Sequence, residues 1–201
     1  MQPDGDLAQP AIEQPAVMQP VAMVQPDKAL AQPVFDNGCA VQAPGEYRQA
    51  MTKAAHRAFA WGSIAEGECW SIATAQAESQ WNPTAVSPAQ AAGIMQIVPA
   101  TAQHLGLADP FDPVANIDAG VRYLNWCIRQ WSKSAIPRKR TFREAAQIGS
   151  FCYNAGPARP LDTQRAVGCR YWDGCFDKHA PDETKTYVRR IEGLADTGEW
   201  R

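Results

Sequence analysis

The sequence predicts a mainly α-helical domain over residues 39–201, preceded by an extended tail over residues 1–38. Two observations support this fold class. From residue 46 onwards, segments of helix-forming residues are separated by glycine and proline, and no convincing series of alternating strand patterns occurs. A chain of 201 residues is also long enough for one helical core in addition to a tail.

The tail is identified by a repeated dipeptide. Gln-Pro occurs six times within the first 33 residues, with Ala, Val and Met among the intervening residues. Proline removes backbone donors and blocks helix interiors, so the segment is predicted to be extended and prone to polyproline II structure. We interpret it as a linker in preference to a strap docked along a larger partner, although its apolar residues keep the docking interpretation open.

The first two predicted helices lie on either side of a break. Residues 46–60 contain good helix formers and neither proline nor glycine, whereas Gly62 and Gly67 bracket the break that follows. Residues 69–79 form the second predicted helix. It ends shortly before Pro83, because the residue preceding a proline disfavours helical geometry.

Four further helices are predicted downstream. Pro99 suits the first turn of a short helix that ends at Gly106. Residues 116–131 give the clearest pattern, and glycine and proline close a helix over 142–153; the last helix covers 182–195. The apolar stripe of the clearest helix consists of Ile117, Val121, Leu124, Ile128 and Trp131.

Composition and charge exclude several functions. The formal net charge of −2 offers no strongly basic face for a nucleic acid, and no apolar run reaches the length of a transmembrane helix. The acidic, proline-interrupted start shows no secretory signal peptide, so either a signal was removed before this numbering began or export uses another route. Six cysteines suit disulfides in an oxidising compartment, with Cys169–Cys175 as one candidate pair and buried free thiols as the alternative for others. Without a CxxC pair, and with only three histidines, no metal site or other cofactor is predicted.

Glu78 is the candidate catalytic residue. The rest of its predicted helix is nearly uncharged, and no other acidic residue follows until Asp109. A carboxyl in weakly polar surroundings loses solvation of its charged form, which raises its pKa and keeps a proton available near neutral pH. Taken alone, a solvated glutamate at a helix end is the more frequent explanation, so the wider sequence context decides.

That context resembles the soluble lytic transglycosylase family. The stretch that begins at Glu78 reads ESQWNPTAVSPAQAAGIMQIVPATA, which is similar to the family's signature. Three later blocks follow in the family's order: DPFDP with Asn116 and a Tyr-Leu pair, YNAGP from Tyr153, and Glu183-Thr184 with Tyr-Val. The four blocks cover roughly residues 68–192. An ordered set of this kind is far more specific than a lone Glu-Ser.

The chain also departs from the family pattern. Gln90 stands where the family usually has glycine, and Cys152 stands where alanine usually precedes Tyr-Asn. The loop between Gly62 and Gly67 and the segment over 165–179 have no family counterpart that can be placed. None of these differences affects Glu78, but they leave the rim of a substrate groove undefined.

The resemblance implies a lysozyme-like helical fold with a groove for peptidoglycan glycan strands. The family cleaves the β-1,4 bond between N-acetylmuramic acid and N-acetylglucosamine without water, leaving a 1,6-anhydro sugar. Most glycosidases need two carboxylates. Here the sugar's own 6-hydroxyl would be the nucleophile, so Glu78 alone would serve as acid and then as base.

Carried over by position, six further residues would form the substrate site. Ser87 and Gln96 would bind the sugar near the cleaved bond, and Met95 would line the groove, although a core position is equally compatible. Tyr153 would hydrogen-bond or orient Glu78. The remaining two are Asn154, beside Tyr153, and Glu183, a supporting carboxylate. Each of these two also has a purely structural explanation, as a helix-end residue.

Two other functions remain as alternatives. A goose-type lysozyme would use water instead of the 6-hydroxyl, and a non-catalytic module would bind peptidoglycan as a structural component. For the biological setting, action outside the cytoplasm at the cell wall is expected. A phage virion is the first choice and a bacterial secretion or conjugation apparatus the second. Residues 1–33 would then contact phage structural proteins or secretion-system components.

Overall fold

The computed structural model describes residues 39–59, 64–132 and 140–196, and these ranges contain eight α-helices and no β-strand. The predicted tail, Gly62 and the ends of the chain lie outside the described residues. The helices are α1 (Gly45–Ala58), α2 (Ile64–Ser79), α3 (Pro99–Leu105), α4 (Pro113–Ser132), α5 (Phe142–Ala155), α6 (Ala158–Val167), α7 (Asp177–His179) and α8 (Asp182–Ala195). The predicted mainly helical fold class is therefore confirmed.

Several predicted helix boundaries are also confirmed. Pro99 occupies the first turn of α3, and Gly106 ends that helix in the left-handed conformation with φ of 69°. The amphipathic segment forms α4, whose five stripe residues are all buried. Thr141 begins α5 with a reciprocal capping box, because its hydroxyl accepts the Glu144 amide while the Glu144 carboxylate accepts the Thr141 amide.

The prediction for Gly67 is wrong in an informative way. Gly67 lies inside α2, which begins five residues before the predicted start at residue 69. A Cβ atom at Gly67 would lie 2.3 Å from the ring of Phe59. The glycine therefore allows α2 to pack directly on a buried aromatic ring, and that tertiary contact outweighs its poor helix propensity.

Helix α2 is central because it is buried along most of its length. It contacts α1, α4 and α8, while α5 packs against both α4 and α8. The indole of Trp70, on α2, donates a hydrogen bond to the Ser150 hydroxyl on α5 over 2.9 Å. The last turn of α2, which holds Glu78, is consequently enclosed by neighbouring helices.

All six cysteines form disulfides, which confirms the interpretation from composition. The pairs are Cys39–Cys69, Cys127–Cys152 and Cys169–Cys175. The second pair joins α4 to α5 and explains why a cysteine replaces the alanine expected at residue 152. The third pair is the one expected from its short spacing.

The segment over residues 165–179, which has no placed counterpart in the family pattern, packs on the core of this domain. Trp172 and Phe176 are buried and meet the ring of Phe151 edge to face, at centroid distances of 6.2 and 6.3 Å. The buried guanidinium of Arg140 donates hydrogen bonds to the carbonyls of Trp131 and Arg170. The segment is thereby fixed to both α4 and α5. No helix among the described residues combines the length and apolar character needed to cross a membrane.

Candidate active site

Glu78 lies in the last turn of α2 and its side chain is buried. Burial raises the pKa of this carboxyl from 4.5 to about 8, while the Tyr187 hydrogen bond and the positive charge of Arg190 oppose part of that rise. The predicted upward shift of the Glu78 pKa is therefore confirmed. At neutral pH the group is mainly protonated, as a general acid must be.

The hydrogen-bond partner of Glu78 differs from the one expected from sequence. The hydroxyl of Tyr187, on α8, donates to Glu78 Oε1 over 2.5 Å. Tyr153 was expected to make this contact, but its hydroxyl donates to the backbone carbonyl of Met95 over 2.7 Å. The reason is topological: α8 packs alongside α2, whereas Tyr153 projects from α5 towards the loop after α2. The Tyr153 pKa is still raised by burial and by the charge of Glu78, so the two groups are close.

One buried asparagine fixes the loop that follows Glu78. Asn116, on α4, accepts the Met95 amide with its side-chain oxygen over 2.7 Å. Its side-chain nitrogen donates to the carbonyls of Ala92 and Pro110, over 3.0 and 2.9 Å. The Ser79 hydroxyl adds a hydrogen bond to the Ile94 carbonyl over 2.8 Å. These contacts hold the sequence motif after Glu78 against α4 and α2.

Glycine at position 93 permits this arrangement. Gly93 has φ of 79°, and a Cβ atom there would lie 2.3 Å from the Pro110 carbonyl oxygen. The absence of a side chain at Gly93 therefore allows the close backbone approach.

Met95 does not line the cleft in this structure. Its side chain is fully buried and lies over Gly120, where an added Cβ would be 2.4 Å from the Met95 Cβ atom. The groove position predicted for Met95 is therefore wrong, and the core position that the sequence also allowed is the one observed. The physical reason is that Gly120 on α4 leaves space for a large apolar side chain.

Three of the predicted residues line one cleft. Gln96, Tyr153 and Asn154 contribute to its walls; the other lining residues are Ile97, Val98, Thr101 and Tyr123. The Gln96 side-chain nitrogen donates to the carbonyls of Ala85 and Gly93 over 3.1 and 2.9 Å, which fixes its amide group. Asn154 accepts a hydrogen bond from the buried Thr184 hydroxyl over 3.0 Å, so its side chain is also held in place.

The remaining two predicted residues have different surroundings. The Ser87 hydroxyl oxygen is buried in a tight turn and accepts the Ala91 amide over 3.1 Å. Glu183 lies half-buried in the first turn of α8, and desolvation raises its pKa. It precedes Tyr187 by four residues, so both side chains are on the same face of α8.

Tyr187 is not among the site residues predicted from the sequence, although its spacing from one of them indicates its position. The spacing from Glu183 places Tyr187 on the same helical face as a predicted site residue, and this could have identified it.

Among the described residues, one group of side chains has the chemistry of a metal site: Cys169, Cys175 and His179. Its two sulfur atoms are bonded to each other in the disulfide.

Comparison with known proteins agrees with the geometry. A model of the transglycosylase SLT domain matches residues 68–170. The chain is 37% identical over 135 residues to the soluble lytic murein transglycosylase of Escherichia coli, covering 62% of this chain and 19% of that protein. It is 38% identical over 93 residues to membrane-bound lytic murein transglycosylase F of Haemophilus influenzae, covering 46% of this chain and 18% of that protein.

Solved structures show the same relationship. The crystal structure of the 70 kDa soluble lytic transglycosylase from Escherichia coli aligns with a TM-score of 0.56 and 27% identity, over 74% of this chain and 24% of that one. A complex of the 70 kDa soluble lytic transglycosylase with bulgecin A aligns with a TM-score of 0.57 and 26% identity, over 74% and 24% of the two chains. The chain spans about a fifth of the length of the curated relatives that it matches. It belongs to the transglycosylase SLT domain family.

Proposed function

We propose that this protein is a peptidoglycan lytic transglycosylase with Glu78 as its catalytic acid and base. The observation that supports this most strongly is the buried, mainly protonated Glu78 at the start of the family motif. The names of the curated relatives, which are lytic murein transglycosylases, agree with the same chemistry. The substrate would be the bond between N-acetylmuramic acid and N-acetylglucosamine.

The proposed reaction returns Glu78 to its starting state. The Glu78 carboxyl donates its proton to the glycosidic oxygen as the bond between that oxygen and C1 of the muramic sugar breaks. The 6-hydroxyl oxygen of the same sugar then bonds to C1, and its proton passes to the Glu78 carboxylate. The products are a free 4-hydroxyl on N-acetylglucosamine and a 1,6-anhydro muramic sugar. No water is consumed.

The surroundings of Glu78 favour this reaction over hydrolysis. Inverting and retaining glycosidases generally place a second carboxylate close to the first, to activate water or to act as nucleophile. The groups that act on the Glu78 pKa besides burial are Tyr187 and Arg190, and neither is a carboxylate. A single carboxyl suffices when the nucleophile belongs to the substrate.

We assign supporting roles from the geometry. Tyr187 positions the Glu78 carboxyl through its hydrogen bond. Gln96 and Asn154 would bind the sugar from the cleft wall, which Tyr153 also lines, and the Tyr153 ring lies near Glu78. Ser87 and Glu183 would contact the glycan at the edges of the site.

Mass spectrometry of digested peptidoglycan tests the proposal. We expect the parent protein to release anhydro-ended muropeptides, and Glu78→Gln, which keeps the side-chain volume, to release none. Reducing-end products from the parent would instead support a goose-type lysozyme. No products from a folded parent would support a non-catalytic peptidoglycan-binding module.

We also propose a biological setting, on the basis of sequence alone. The protein would act outside the cytoplasm as part of a machine that locally penetrates the cell wall, such as a phage virion or a secretion or conjugation apparatus. Residues 1–33 would tether the domain to that machine. Cross-linking in the assembled particle tests this: cross-links from residues 1–33 to a structural protein support docking, and their absence alongside cross-links from the domain contradicts it.

A further inference from the structure

Trp126 on α4 is unusual among the tryptophans of the described residues. It is 41% exposed, whereas the other four are at most 7% exposed: Trp70, Trp81, Trp131 and Trp172. An indole this exposed leaves a large apolar face in contact with solvent. Its exposure is therefore a candidate sign of a binding role.

The Trp126 ring is held in a defined position beside the cleft. It stacks on the ring of Tyr123, one turn earlier on α4, with centroids 5.9 Å apart and an interplanar angle of 9°. Side chains on a helix lean towards its N-terminus, which directs Trp126 over Tyr123. Because the ring is already fixed, little side-chain freedom would be lost when a ligand binds.

The stacked pair continues the wall of the cleft. Tyr123 lines the cleft together with Gln96, Tyr153 and Asn154, and its ring centroid lies 5.2 Å from that of Tyr153. Tyr153, Tyr123 and Trp126 therefore form a continuous row of rings that begins beside Glu78 and leads outwards along α4.

We propose that Trp126 forms an additional sugar subsite, on which an N-acetylhexosamine ring of the glycan strand stacks beyond the cleavage site. This inference rests on the proposed function and extends the same site. A pyranose ring has an apolar C–H face and polar edges, which matches an exposed indole surrounded by polar groups. The indole N–H adds a donor for a hydroxyl or an acetamido oxygen.

The neighbours of Trp126 favour a sugar over a protein partner. The exposed residues one turn before and after it on α4 are polar: Arg122, Arg129 and Gln130. A protein interface generally needs a contiguous apolar patch of several hundred square ångströms. One indole at the end of a cleft suits a single ring of a linear polymer.

Binding of defined oligosaccharides tests the proposal. The full chain with Glu78→Gln, which should bind without cleaving, is titrated calorimetrically with N-acetylglucosamine oligomers of increasing length. Adding Trp126→Ala should weaken binding of the longest oligomers about tenfold, equivalent to about 1.4 kcal/mol, and leave the shortest unchanged. Trp126→Phe retains an aromatic face and should restore most of the affinity.

A control on the same helix separates this effect from a general loss of exposed apolar surface. Val114 is 58% exposed and lies twelve residues before Trp126, about 18 Å along α4. Val114→Ala should therefore bind oligomers of every length as the parent does.

The outcomes distinguish this inference from the proposed function. If the Glu78→Gln protein binds long oligomers and the added Trp126→Ala loses no affinity at any length, the additional subsite is refuted while the catalytic proposal stands. An equal loss at every length would also refute it, because the indole would then act near the cleavage site or on the fold. If the parent binds no oligomer, the inference fails together with the glycan-binding part of the proposed function.

Discussion

Replacing the buried Glu78 carboxyl should make this protein more stable at alkaline pH. The variant Glu78→Gln keeps nearly the same volume and can still accept the Tyr187 hydrogen bond, but it cannot ionise. A carboxyl whose pKa rises on folding binds its proton more tightly in the native state than in the unfolded state. Its contribution to stability is therefore complete below about pH 4.5 and is lost as the pH rises towards about 8.

The size of the effect follows from the two pKa values. For a shift from 4.5 to about 8, proton linkage lowers the free energy of unfolding by about 1 kcal/mol at pH 5 and by about 4 kcal/mol at pH 8. The difference in unfolding free energy between Glu78→Gln and the parent should therefore increase by about 3 kcal/mol between these pH values. Other titrating groups affect both proteins alike and cancel in this difference.

Urea unfolding of the oxidised proteins at pH 5, 6.5 and 8 measures this difference. Glu46→Gln is the matched control for the exchange of a glutamate for a glutamine, because Glu46 is exposed in the first turn of α1. A Glu78→Gln advantage that changes by less than about 1 kcal/mol from pH 5 to pH 8 would refute the reasoning, since the carboxyl would then not be desolvated in the native state.

Three further predictions concern the surroundings of this carboxyl. Tyr187→Phe removes the hydrogen bond that lowers the Glu78 pKa, so the alkaline limb of the pH–rate profile should move up by about one pH unit. An unchanged alkaline limb would contradict the positioning role of Tyr187. Gly93→Ala should lower the unfolding free energy by at least about 2 kcal/mol more than Gly106→Ala. Both glycines have positive φ, but only at Gly93 would the added Cβ atom collide with a backbone oxygen. Equal losses in urea unfolding would be inconsistent with this close packing. Replacing Cys127 and Cys152 together by alanine should lower the unfolding free energy by about 3.5 kcal/mol, as expected for a loop with a sequence separation of 25; calorimetry showing no loss would contradict a stabilising cross-link.

Sequence reasoning located α4 because its signal is local and periodic. The apolar residues from Ile117 to Trp131 recur at helical spacing, and the structure buries that face. The ends of α3 could be predicted equally well, because proline is favoured in the first turn of a helix and glycine just after its last residue, as Pro99 and Gly106 show. The start of α2 was not predictable in this way, since Gly67 is inside the helix for a tertiary reason, its contact with Phe59.

The raised pKa of Glu78 could be anticipated from its uncharged neighbours, because α2 is almost wholly buried. Its hydrogen-bond partner, Tyr187, was missed because the contact joins residues 109 positions apart through the packing of α8 on α2, and only the spacing of Tyr187 from Glu183 pointed to it. The burial of Met95 depended in the same way on Gly120, which lies on another helix. The family resemblance therefore pointed to Glu78 as the candidate acid and to three of the seven residues that line the cleft, whereas contacts between distant segments decided which side chain touches which.

Digestion of purified peptidoglycan in water enriched in heavy oxygen tests the central claim most directly. If Glu78 acts alone and the sugar's own 6-hydroxyl attacks, the new glycan ends carry no label and each is lighter by one water molecule than a reducing end. Labelled reducing ends would show that water is the nucleophile. That result would contradict the single-carboxyl mechanism and require a second group to activate water at this site.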